Sequence, residues 1–438
     1  MSKVLRFSRS PFYWQVEPTA SNPVASTTTQ VFIWNGLLTD IPTAPTYTFV
    51  KAPLGSSNLI VLDLAQLVND YLVVTYDGTY SIDSYYLFAS TIFYDAANVQ
   101  IGDVVELEET YAFSKGFGYF NEGVNPAAKT GTTFFPTLNY RMTGLAMFSR
   151  EIQVPESEPI NIPVLVTKLS QVDTTVEINF YTGERIGTGI PTGLAKTVIV
   201  TNTGVNSNEY IQYVDNIEST TQPQTEAQWD SLVQTTWEGQ LETVGDNPTR
   251  TVFWCPENDH PTTWISSKYN GTLVYIKVNY LVKDKFMPYK VTFVNSFGAL
   301  EDFWMMGAEK ESLTVNGDTF KRNLLNIPTA PATTETDYNV DAHQYVTFGE
   351  QGRKSYTLNT GFIPEENNKT LTELMLSQKI WVTKWQSIED RNSPSKPLDI
   401  EPVVLKSKQL SYKTHLQEKV IDYKIEFQSA HDEVNQVR

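Results

Sequence analysis

The chain has 438 residues and a formal charge of −17, with 50 acidic residues against 33 basic ones. Hydrophobic residues make up 40% and aromatics 12%, which excludes wholesale disorder and leaves room for about two to four domains. So acidic a chain, with no basic stripe to offset it, is repelled by nucleic-acid phosphates. The acidity instead suits a solvated surface, or one that meets an anionic partner through divalent cations.

There is a single cysteine, Cys255, so an intrachain disulfide and a multi-cysteine metal site are both ruled out. The start, "MSKVLRFSRSPFYWQVEP", lacks a continuous apolar core, so no signal peptide is expected. Apolar runs such as "SYYLFASTIFY" are shorter than the roughly 20 residues of a membrane-spanning helix. Charged residues are only 19% and β-branched and aromatic residues are plentiful, which favours strands. The expected fold is mainly β and multidomain: immunoglobulin- or fibronectin-like β-sandwich modules with a few short helices.

In the first module, residues 1–153, "TTTQVFIWNG" predicts a strand. Thr29, Val31 and Ile33 alternate with Phe32 and Trp34 before an Asn35-Gly36 turn. "PTYTFVKAP" is a second strand. A helix is expected near 63–72, opened by a capping box of Asp63 and Gln66, with Leu64, Leu67, Val68 and Tyr71 on one face. "DSYYLFASTIFYD" is apolar on both faces and reads as a central strand.

The prolines and acids of "SREIQVPESEPINIPV" predict a linker. A central sandwich, residues 154–285, follows, with short strands in "PVLVTK", "TTVEINFYTGE", "AKTVIVTNTG", "EYIQYVD" and "GTLVYIKVNYLV" and a long loop at "ESTTQPQTEAQWD".

The third module, residues 286–438, opens with "PYKVTFVNSFGALEDFWMMG", two strands around an "NSFG" turn. Its apolar side chains, Phe293, Phe297, Phe303, Trp304, Met305 and Met306, are the candidates for a core or a subunit interface. A helix is expected near 364–376, begun by Pro364, with Leu371, Leu374 and Met375 on one face. "IWVTKW" is then a strand. The final strand, "KVIDYKIEF", points Ile421, Tyr423, Ile425 and Phe427 inward.

No motif for chemistry stands out. "GTGIPTGLAK" lacks the Gly-Lys pair of a phosphate loop, and "GFGYFNEG" has the wrong glycine spacing for a dinucleotide site. Four histidines, His260, His343, His415 and His431, are scattered. Cys255, Glu257, Asp259 and His260 of "CPENDHP" read as a proline-bounded turn. Glu106 and Glu108 of "VELEE" read as a solvated strand face. Trp34 and Trp385 are core residues before they are sugar platforms. No catalytic residue, cofactor or metal is assigned, and an enzyme is not expected.

The segments 288–307, 355–382 and 402–435, with "RSPFYWQVEPT", "VFIWNG" and "VLDLAQLVNDYL" near the start, resemble virion structural proteins of tailed phages of marine and Bacteroidota hosts. That family has no fixed motif from which a functional residue could be carried over. The resemblance implies a tail, baseplate or tail-adaptor protein, assembled in the host cytoplasm as a homo-oligomer among other virion proteins. Tail fibres or a host receptor are its further implied partners. A receptor-binding protein and a neck or collar ring are the alternatives. A polysaccharide depolymerase would show long repetitive β-helix rungs, and no such period is present.

Overall fold

The computed structural model describes residues 5–19, 23–35, 41–53, 58–78, 84–122, 286–326, 337–384, 399–412 and 420–433. Between 133 and 281 it describes separate strands and a few single residues. The protein is mainly β, built from several largely antiparallel sheets.

The first module centres on a six-stranded sheet. Leu5–Phe7, Tyr111–Ser114, Ser84–Tyr94, Ser26–Trp34 and Tyr47–Lys51 lie side by side in that order, and Gln100–Glu106 also pairs with Ser84–Tyr94. Ser26–Trp34 buries Thr27, Thr29, Val31 and Ile33 on one side, as its alternation predicts. Trp34 is buried as well, 5.6 Å from the Tyr86 ring, so it is an interior residue. A two-stranded ribbon, Tyr13–Val16 with Ile60–Asp63, covers one sheet face and encloses Val16, Ile60, Leu62, Leu87 and Phe113. Ser84–Tyr94 sends Leu87 and Ala89 into this layer and Tyr86 to the opposite face, which explains why its sequence is apolar throughout.

The first helix is shorter than expected, Ala65–Asn69, and its cap differs. Leu64 is the N-cap residue and makes no side-chain cap bond. Asp63 Oδ1 instead accepts from the Ala65 N–H at 3.2 Å, so the reciprocal bond expected from Gln66 is absent and Gln66 is exposed. The segment read as a linker carries two strands. Glu151–Pro155 runs parallel to Thr272–Leu281, and Ile160–Pro163 pairs with Thr251–Trp254. Prolines at strand edges are compatible with pairing, and Pro155 and Pro163 each end a strand.

The central five-stranded sheet runs Glu151–Pro155, Thr272–Leu281, Trp264–Tyr269, Thr175–Tyr181, Leu194–Thr201. Thr133–Phe134, from within the first expected module, pairs with Leu165–Val166 of the second. "CPENDHP", "ESTTQPQTEAQWD", Gly36, Trp385 and His415 lie outside the described residues.

The third module is a seven-stranded antiparallel sheet: Leu300–Met305, Tyr289–Val294, Ile380–Lys384, Ile400–Leu405, Lys424–Ser429, Tyr345–Asn359 and Lys310–Lys321. The helix Asn368–Leu376 packs Leu371 and Leu374 on one face of it. That helix starts later than expected. Pro364 pairs in a short strand, Ile363–Pro364, and a 3-10 turn, Glu365–Asn367, precedes the helix. Met375 is only half-buried. The final strand is broken into Val420–Ile421 and Lys424–Ser429, yet Ile421, Tyr423, Ile425 and Phe427 are all buried as the alternation requires. Among the described residues, no helix is long and apolar enough to cross a membrane.

Candidate functional site

The hairpin that joins Tyr289–Val294 to Leu300–Met305 ends in the turn Asn295-Ser296-Phe297-Gly298. Asparagine suits its first position because its side chain can stand in for backbone partners. Asn295 Oδ1 accepts from the Phe297 and Ala299 N–H groups at 3.0 and 3.1 Å, and Asn295 Nδ2 donates to Glu301 at 2.9 Å. Gly298 takes the left-handed conformation, φ +83°, that closes the turn without a Cβ clash.

Hairpin turns normally face water, because buried loop backbone must find every partner inside the protein. This turn is buried from Asn295 to Ala299, and two of its carbonyls find their partners in the first module. The Phe117 N–H donates to Ser296 O at 2.7 Å, and Ser114 Oγ donates to Phe297 O at 2.6 Å. Two glycines permit this approach. A Cβ on Gly116 would lie 2.3 Å from Ser296 O, and one on Gly298 would lie 2.6 Å from Lys115 N.

Glu373 of the helix Asn368–Leu376 closes the junction. It is fully buried, accepting from the Ser296 N–H at 2.9 Å and from the Tyr119 hydroxyl at 3.0 Å. The surrounding layer is apolar: Trp34, Tyr86 and Ala112 of the first sheet meet Val294, Phe297 and Trp381 of the last. Burying the Phe297 ring contributes about 2–3 kcal/mol. The Phe7 ring meets it edge-on at 5.7 Å.

Cations bind backbone carbonyls around the rim. Lys379 Nζ donates to Val74 O at 2.7 Å and Arg9 Nη2 to Leu376 O at 3.2 Å, each reaching across the junction. Lys115 Nζ donates to Asn69 O at 2.7 Å. Asn69 and Leu376 end their helices, where a positive charge is favoured. Burial, then the neighbouring Lys379, pulls the Lys115 ammonium below its usual range.

The six side chains singled out from the sequence divide among environments. Phe293, Phe303 and Met305 lie in the core beneath the seven-stranded sheet, and Phe297 lies in the junction layer. Trp304 is buried on the face opposite Phe303, and Met306 is half-buried. Glu373, Gly116 and Tyr119 were not singled out. Gly116 offered a signal in "GFGYF", whereas Glu373 looked like any polar helix residue.

A second cluster carries ionisable groups. Tyr289 donates to Glu311 at 2.7 Å and Tyr356 donates to Glu401, around a cavity of about 30 Å³ that also touches Lys384 and Asp399. Burial, then bonding to Glu309 and Glu311, pushes the Tyr289 hydroxyl well above its usual range. Burial, then Glu401, does the same to Tyr356. The Tyr289 bond holds Glu311 below its ordinary value, against opposing burial. Both shifts lead away from neutral pH: the hydroxyls stay protonated and Glu311 stays ionised. Among the described residues, no group of three or more His, Cys, Asp or Glu is placed to hold a metal ion.

No family model matches this chain, and no curated protein matches it.

Proposed function

We propose that the chain is a structural component of a tailed-phage virion, a tail, baseplate or tail-adaptor protein that assembles as a symmetric oligomer and supports host attachment. The observation that carries this reading is the buried turn at 295–298. This apolar hairpin serves to fix the first module to the last, through main-chain bonds, two close glycine contacts and a buried carboxyl group. Small polar interfaces let domains move relative to one another, whereas a densely packed apolar one holds them. A subunit that must keep its neighbours in register within a particle needs the second kind. The similarity of residues 288–307, 355–382 and 402–435 to virion proteins supports the same reading.

Immunogold labelling of purified virions with antibody raised against residues 1–438 tests it. Label at the distal tail is the expected result. Label at the neck would keep the structural role and remove host attachment. Absence of label on both intact and disrupted particles would overturn the proposal.

A receptor-binding role is a second reading, favoured by Phe120. Its ring is wholly exposed on the 3-10 turn Phe120–Glu122. An exposed aromatic face of this kind stacks on sugars. Binding on a host-glycan array that Phe120→Ala removes would establish this role.

A further inference from the structure

The strand Lys310–Lys321 is the outer edge of the seven-stranded sheet, and all twelve of its residues are exposed. It pairs inward with Tyr345–Asn359, but Lys424–Ser429 supports that partner only from Ser355 to Asn359. From Leu313 outward the sheet therefore narrows to two strands, and from Asn316 outward this ribbon is open on both faces and along its outer edge among the described residues. Two-stranded hairpins are marginally stable in water, and exposed edges attract further strands. Proteins protect such edges with proline, bulges or inward charges. This strand contains no proline, and its stretch Ser312–Asn316 carries no charge. The one bulge places its extra residue on the inner strand, next to Gly349 at φ +63°, so the outer strand keeps its two-residue alternation. Leu313 and Val315, on one face of it, are 56% and 60% exposed.

We infer that this edge is a self-association site: a second copy of the chain adds its own Lys310–Lys321 antiparallel to it, about a two-fold axis at Thr314. The sequence suits that register. It sets Lys310 opposite Asp318, Ser312 opposite Asn316 and Leu313 opposite Val315, each pair occurring twice. Directly opposed side chains share a face, so the ion pairs and the aliphatic pairs fall on opposite faces. Sliding by one residue sets Asp318 against Glu311 in one direction and against Glu309 in the other, and like charges directly opposed are destabilising.

Net charge points to the same occupant. Copies of a chain with a charge of −17 repel one another. Along 310–326 and 337–359, however, the basic and acidic side chains cancel, so the ribbon is a place where two copies can meet without that cost. The paired edges are a small interface, so the association falls in the micromolar range. The inference does not depend on a virion location.

Sedimentation velocity of the full chain between about 1 and 100 µM tests it. The wild type is expected to dimerise across this range. Lys310→Asp and Asp318→Lys should each weaken the dimer about tenfold or more, because each sets like charges in register. Both positions are exposed, so circular dichroism should stay unchanged. An equimolar mixture of the two variants should recover the dimer to within about threefold, since each then supplies the opposite charge to the other. A monomer at every concentration would overturn the inference. So would a dimer indifferent to both reversals, or a mixture that fails to recover.

Discussion

At the scale of single residues, Glu373 shows how a buried acidic side chain can be structural. Its carboxyl group is fully buried, with the Ser296 N–H and the Tyr119 hydroxyl as donors. Removing it takes the acceptor from the buried Ser296 N–H, at a cost of about 1–3 kcal/mol, and one hydrogen bond from the half-buried Tyr119, at about 1 kcal/mol. Glu373→Ala is therefore expected to lower unfolding free energy by about 2–4 kcal/mol in urea titration. Glu373→Gln, which keeps an acceptor oxygen, should cost less; equal losses would mean that the hydrogen bonds are not what Glu373 supplies. Nothing in "TLTELML" marks this residue. A helix pattern reveals the face turned toward its own sheet, here Leu371 and Leu374, but not a second contact made by the flank of the same helix.

At the scale of elements, alternation was the dependable signal. It located the strands at 26–34, 289–294 and 424–429, and in the last of these it identified the buried side. Pairing order was not legible, because it is set by contacts far apart in sequence. The sequence places Tyr289 and Tyr356 in separate segments, and the sheet brings their rings to 6.4 Å. Their raised pKa values make a prediction with a definite sign. A tyrosine whose hydroxyl is held protonated by the fold adds stability below its ordinary value of 10.0, and loses it as the pH rises further. The urea midpoint should thus fall above about pH 10. Tyr356→Phe should give up about 1 kcal/mol at neutral pH and then fall less steeply in alkali. Parallel alkaline limbs for variant and wild type would contradict the assignment.

At the scale of the whole molecule, composition anticipated a mainly β chain, but the prolines at 155, 159 and 163 misled. A Pro-rich acidic stretch reads as a linker, whereas two of these prolines end paired strands. The function of "PYKVTFVNSFGALEDFWMMG" was also only half legible. Its strands declare a core, while the purpose of its turn depends on Gly116, almost two hundred residues earlier. This turn locks the first and last modules together. Hydrogen exchange with mass spectrometry on Gly116→Ala tests it most directly. Alanine has a favourable entropy at most positions, about 0.5–1 kcal/mol over glycine in regular structure, but here its methyl group would meet Ser296 O at 2.3 Å. Protection is expected to fall together in peptides covering 111–117, 293–300 and 371–379. A loss confined to 111–117, with the other two unchanged, would contradict the account.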